Sequence, residues 1–203
     1  MPDWPTARPG RAAFGVKRQQ NSSIRHKFEG EVVMNTAPVA RIETDGGTGE
    51  HPTIRDRIEG AWELVEYFMT SAEGDIHHPL GPDARGLILY TADGFMSAQL
   101  MDPDRPRFQS RSVHAGEPHE LSAAAAGYLA YSGPYRVDET EGIVYHGMSV
   151  ALFPNWVGEQ GTRWVRFEDD RMILTARQQV FDNRTWKPVV VWRRADVPVT
   201  PET

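Results

Sequence analysis

The chain has 203 residues, 39% of them hydrophobic and 25% charged, which suits one packed core in one domain of moderate size. A formal net charge of -6 with no basic stripe argues against a nucleic-acid partner. The absence of cysteine excludes disulfide frameworks, thiolate metal sites and cysteine nucleophiles, and no apolar run approaches the roughly 20 residues of a membrane-spanning helix.

Residues 1–52 are rich in Pro, Gly, Arg, Gln and Asn and show little periodicity. Such a segment cannot bury enough apolar surface to offset its ordering entropy, so it reads as a disordered tail. Within it, "FEGEVVM" allows a purine-rich stretch of codons just ahead of Met34. Residues 1–33 are therefore either a real arm or an over-extended gene start. The basic N-terminus lacks the apolar core of a secretory signal, and a cytoplasmic location is expected.

From Ile54 the character changes, and residues 53–197 read as one folded unit followed by a short tail, 198–203. "HPTIRDRIEG" offers a turn or short helix. "AWELVEYFM" then alternates as a strand, with Trp62, Leu64 and Glu66 on one face and Glu63, Val65 and Tyr67 on the other. "RGLILYT" and "FMSAQLM" form a hairpin across "ADG", where Gly94 suits a positive φ. The polar segment that follows is longer than ordinary connections. It leads into a helix over Glu117–Ala130, marked by Pro118 in the first turn, acidic residues near the N-terminus and a run of alanines. Gly127 should mark a frayed end of that helix. "YSGPYRVDE", "GIVYHGMSVALF", "TRWVRFED", "RMILTAR" and "WKPVVVWRR" read as five further strands. The prediction is an all-β, antiparallel, up-and-down barrel of about eight strands with one inserted α-helix, because closure removes exposed sheet edges.

Five blocks carry a resemblance: "PLGPDARGLILYTADGFMSAQLM", "AAAAGYLAYSGPY", "VYHGMSVALFPNWVG", "GTRWVRFEDDRMIL" and "VVVWRR". In this order they resemble the bacterial and fungal lipocalin-like domain family, a calycin-type barrel. "GAW" at Gly60–Trp62 is similar to the lipocalin Gly-x-Trp signature. The resemblance implies that Trp62 plugs the closed end and that Arg193 or Arg194 stacks across it. It also implies an apolar cavity for a small organic molecule, with some members in specialised metabolism.

The candidate chemistry lies on inward positions. His146 shares a face with Val144, Met148 and Val150, and is either a proton shuttle or a hydrogen-bonded core residue. Gln99, flanked by apolar residues, either satisfies backbone groups or addresses a ligand. Tyr131 joins these two as a candidate catalytic group. Tyr90 and Tyr135 can donate to a carbonyl, with Met96 and Met148 as apolar wall. Arg163 and Arg166 differ in parity, so one of them points inward or to the rim; the favoured reading is a solvated face, and the alternative, with Arg163 as the candidate, is an inward arginine suited to a carboxylate or enolate. Pro154 and Asn155 break the strand run, so Phe153 and Trp156 fall on a barrel rim, at the cavity mouth or against the helix. His77 and His78 are adjacent on extended chain and point apart, so no metal is expected, and no cofactor motif occurs. The expected function is binding of an apolar small molecule. The alternatives are a cofactor-independent cyclase, isomerase or dehydratase, and a protein-interaction module. Membrane contact is not expected, and a homo-oligomer is left open.

Overall fold

The structure, a computed structural model, describes residues 52–112 and 114–196. The expectations for the N-terminal tail ahead of Pro52, for the Met34 start and for residues 198–203 lie outside them.

A short helix, α1 (Ile54–Ile58), opens the fold. Thr53 caps it, and the Asp56 carboxylate returns the bond to the Thr53 backbone, a reciprocal capping box. The long strands follow: β1 (Gly60–Ser71), β3 (Arg85–Tyr90), β4 (Phe95–Met101), β5 (Tyr128–Asp138), β6 (Ile143–Gly147), β8 (Gln160–Glu168), β9 (Arg171–Ala176) and β11 (Arg184–Arg194). These eight form an antiparallel meander, each paired with the next. The circle is closed by β11 against β1, from Trp62↔Arg194 to Ser71↔Trp186. Three short strands, β2 (Ile76–His77), β7 (Val150–Ala151) and β10 (Gln179–Phe181), are added at its margin. The helix α2 (Pro118–Ala126) sits between β4 and β5.

The two ends of the barrel differ. At one end the hairpins turn tightly, at Thr91–Gly94, at 139–142 and at Asp169–Asp170, and Gly94 has φ +92°. At the other end the connections are longer and hold β2, α2, β7 with a 3-10 turn (Pro154–Trp156), and β10.

Two expected elements are shorter than the sequence suggests. The helix stops at Ala126, because Tyr128–Ala130 pair with β4 instead. The strand expected over Ile143–Phe153 breaks after Gly147. There the Met148 N–H donates to the Glu159 carbonyl and the Ser149 N–H to the Ser132 carbonyl, the register on β5 slips by one residue, and β7 runs on along β5 while leaving β8; Val150 is thereby exposed rather than on the His146 face. Gly133 makes this register slip possible: a methyl group there would lie 2.1 Å from the Gly147 carbonyl oxygen.

The face assignment on β1 also changes. A bulge between Leu64 and Glu66 shifts the register, so Tyr67 and Met69 join Trp62 and Leu64 in the core. The bulge inserts one residue and reverses the parity beyond it. Glu66 instead meets His78 Nε2, at 3.1 Å.

Among the described residues no helix is long and apolar enough to cross a membrane.

Candidate functional site

The tight end of the barrel is plugged. Trp62 is buried, its indole N–H donates to the Ile58 carbonyl at 2.7 Å, and the Arg194 guanidinium lies 4.0 Å from its ring centroid. Arg194 also donates to the carbonyls of Glu59 and Arg57. Gly60, at φ +107°, leaves room for it, since a methyl group there would stand 2.9 Å from Arg194 Nη1. Arg193 faces the other way and pairs with Glu63 and Asp196, so Arg194 is the stacking partner. Beneath the plug, an open recess of about 210 Å³ is lined by Arg57, Trp62, Phe167, Asp169, Asp170 and Arg194. Its cations rest on aromatic faces, with Arg57 3.7 Å from the Phe167 centroid, which makes it the outside of the plug rather than an entrance.

The polar centre lies inside the barrel. His146 on β6 is 0% exposed, with Tyr90 Oη 2.8 Å from its Nε2 and Tyr131 Oη 3.2 Å from its Nδ1. Arg163 on β8 donates from Nη2 to Tyr131 Oη at 3.4 Å and from Nη1 to the Thr162 carbonyl at 3.0 Å. Gly161 makes room alongside: a methyl group there would come within 2.8 Å of Met148 Cε and 3.0 Å of Arg163 Nη1.

Burial, then the Arg163 charge, hold the His146 pKa well below its ordinary value, so the imidazole is neutral. Burial raises the Tyr90 phenol well above its ordinary range. It pushes Tyr67 up to about 12, against the opposing pull of Arg163.

Two phenols and one neutral imidazole carry three polar hydrogens, and the two contacts among them use two. Whichever tautomer holds, one phenol hydrogen is left to donate elsewhere. Arg163 adds further N–H groups. Two inward indoles on β11, Trp186 and Trp192, have buried N–H groups with no acceptor among the described residues. The inner wall is therefore rich in donors and short of acceptors.

The open end is aromatic on two sides. Trp156, in the 3-10 turn, meets Tyr131 edge-on at 5.6 Å and Phe153 at 5.7 Å. Phe153 itself is 52% exposed on the rim. Across the mouth, Phe181 stacks on Trp186 at 5.4 Å, and His77 packs against both at 5.4 and 5.6 Å.

The structure thus brings together His146, Tyr131, Tyr90, Arg163 and Met148, with Trp156 at the mouth. Met96 and Tyr135 are buried toward the tight end, where the Tyr135 hydroxyl donates to the Thr91 carbonyl at 3.1 Å. Gln99 does not join the centre. It is exposed on the outer face of β4, opposite in parity to Met96, Ala98 and Leu100, and accepts from the Tyr128 hydroxyl. Sequence reasoning missed Tyr67, which the bulge turns inward. It also missed the His77–Phe181–Trp186 group, assembled from three separate segments. The two histidines diverge as expected, and among the described residues no three His, Asp or Glu side chains converge on a metal-sized site.

Residues 59–195 match the lipocalin-like domain family. The 4'-hydroxy-3'-methoxypropiophenone carrier protein ppsC of Aspergillus oryzae is 32% identical over 106 residues, covering 49% of this chain and 96% of that protein. Among solved structures, a lipocalin-like protein from Bacteroides uniformis has a TM-score of 0.37 at 13% identity, covering 68% of this chain and 99% of that one. The siderocalin Ex-FABP has a TM-score of 0.28 at 11% identity, covering 71% of this chain and 74% of its own. With the closed meander and the Trp62–Arg194 plug, the family match over most of the described residues establishes that the chain belongs to the lipocalin-like domain family.

Proposed function

We propose that the barrel carries a small aromatic molecule bearing a hydrogen-bond acceptor, of the kind found in specialised metabolism. The ligand enters between Trp156 and Trp186 and presents its acceptor to Tyr131 and Arg163. The observation that carries this reading is the surplus of donors on the inner wall. A buried donor without an acceptor costs about 1–3 kcal/mol, and a ligand oxygen removes that cost. The aromatic mouth favours a ring by edge and face contacts. The fungal relative is by name a carrier of an aryl ketone, which supports the same ligand class.

The test is tryptophan fluorescence titration with acetophenone and with ethylbenzene, which match in size but differ in the acceptor. The ketone should bind at least about tenfold more tightly, the equivalent of one hydrogen bond. Tyr131→Phe should narrow that gap. Equal affinity for the hydrocarbon would refute the reading.

One observation favours turnover as a second reading. A neutral imidazole between two phenols is arranged as a proton relay, which a cofactor-independent isomerase, cyclase or dehydratase would use. Recovering the ligand after incubation in D₂O separates the two readings. Unchanged mass supports a carrier, and deuterium at carbon, lost in His146→Gln, supports catalysis.

A further inference from the structure

Arg163 is a cation facing the barrel interior without an anion. It donates to the Tyr131 hydroxyl and the Thr162 carbonyl, lies 5.9 Å from the Tyr131 ring, and acts electrostatically on the Tyr90 phenol and the His146 imidazole. The Tyr67 phenol senses both Arg163 and Tyr131 and has no hydrogen-bond partner of its own among the described residues. Every one of these groups is neutral.

The outward arginines of the same wall are treated differently. Arg166 pairs with Glu168 at 3.3 Å, Arg171 with Asp170 at 3.9 Å and Arg193 with Glu63 at 2.5 Å. The chain has 28 acidic residues against 22 basic ones, so carboxylates are plentiful. None is placed against the one arginine that points inward from β8. Exposed pairs contribute little, whereas a guanidinium withdrawn from water needs a counter-charge. The fold supplies that counter-charge where it matters least and omits it where it matters most. His146 cannot serve, because a neutral imidazole carries no negative charge.

Resting on the reading that the barrel takes an aromatic acceptor, we propose that the ligand is bound as an oxyanion conjugated to its ring, a phenolate or enolate. The negative oxygen lies against the Arg163 guanidinium and the Tyr131 and Tyr67 hydroxyls. Three donors of this kind favour the ionised ligand over its neutral acid, so the protein lowers the pKa of what it holds. The aromatic mouth then packs the ring over which the charge is shared.

The experiment uses the full-length protein and two probes, 4-hydroxyacetophenone, which can ionise, and 4-methoxyacetophenone, which cannot. Tryptophan quenching gives the affinities from pH 6 to 9, and difference absorbance reads the ionisation state of the bound phenol. The expected result is a phenolate spectrum in the complex at a pH where the free probe is still neutral. Below the probe's own pKa, the dissociation constant of the phenol should fall about tenfold for each unit by which the pH is raised, while that of the ether stays flat. Arg163→Met should abolish the pH dependence, and Arg163→Lys should preserve it. Since the wild-type spectrum is decisive alone, misfolding of either variant leaves the test intact. A complex with the neutral-phenol spectrum and pH-independent affinity would overturn the inference while leaving the acceptor reading standing. Failure of both probes to bind would overturn both.

Discussion

If His146 is sealed in the barrel as a neutral base, acid should destabilise the fold through this one group. Its folded pKa is depressed by burial and by Arg163, whereas in the unfolded chain it returns to about 6.5. Between those two values the unfolded state binds more protons, so stability rises with pH across that window and falls as the pH drops below about 6.5. For a group that stays unprotonated in the fold, the loss between pH 7.5 and pH 5.5 is about 1.4 kcal/mol. His146→Gln removes this term while keeping one donor and one acceptor between Tyr90 and Tyr131. At pH 7.5 the variant should lose about 1–2 kcal/mol, the value of an imperfectly replaced hydrogen bond. Urea denaturation followed by tryptophan fluorescence, at pH 7.5, 6.5 and 5.5, measures both quantities. Subtracting the variant from the wild type cancels the other titrating groups, His77 included. The gap between the two proteins should therefore shrink by about 1.4 kcal/mol as the pH is lowered. A gap that stays constant would mean that the imidazole titrates alike in both states, and the sealed neutral base would be wrong.

Three further outcomes are expected. Arg194→Ala should cost about 2–3 kcal/mol in chemical denaturation, because it removes the stack on Trp62 and two bonds to backbone carbonyls. Arg193→Ala, in exposed ion pairs, should cost less than about 1 kcal/mol, and equal losses would contradict the plug. Gly133→Ala should lose soluble folded protein or several degrees of melting temperature, since its methyl group meets backbone at the register slip between β6 and β7; an unchanged thermal scan would show that the approach is not tight. The connection from Asp102 to Gly127, which holds α2 at the open end, should exchange its amides faster than β4 and β5 and slow down when 4-hydroxyacetophenone binds. Exchange as slow as that of the strands in both states would show that this connection does not close over the ligand.

Much of this architecture was legible in the residues. Alternation, turn chemistry and the Gly60–Trp62 signature gave the meander, its closed end and an arginine partner for Trp62. Parity on β8 separated Arg163 from Arg166 but did not say which faced inward; the structure puts Arg163 on the side of Val165 and Phe167. The same parity on β4, read from Met96, Ala98 and Leu100, pointed Gln99 outward, and the functional reading of that residue overrode it. Tyr67 was hidden for another reason. A bulge leaves no mark in a pattern of period two, yet it exchanges the faces of every residue beyond it. The Phe181–Trp186–His77 group depends on contacts between segments roughly a hundred residues apart, which no local pattern encodes.

The seam between β1 and β11 has a bearing on how the chain matures. Its partners are separated by nearly the whole of the domain, Trp62 meeting Arg194 and Ser71 meeting Trp186. During synthesis the first strand must wait, with one edge bare, until the last has left the ribosome. Loop-closure entropy makes that final zippering slow, and the waiting edge is open to pairing with other chains. A nascent chain stalled before residue 184 would therefore be the form most prone to aggregate, and the one most in need of a chaperone.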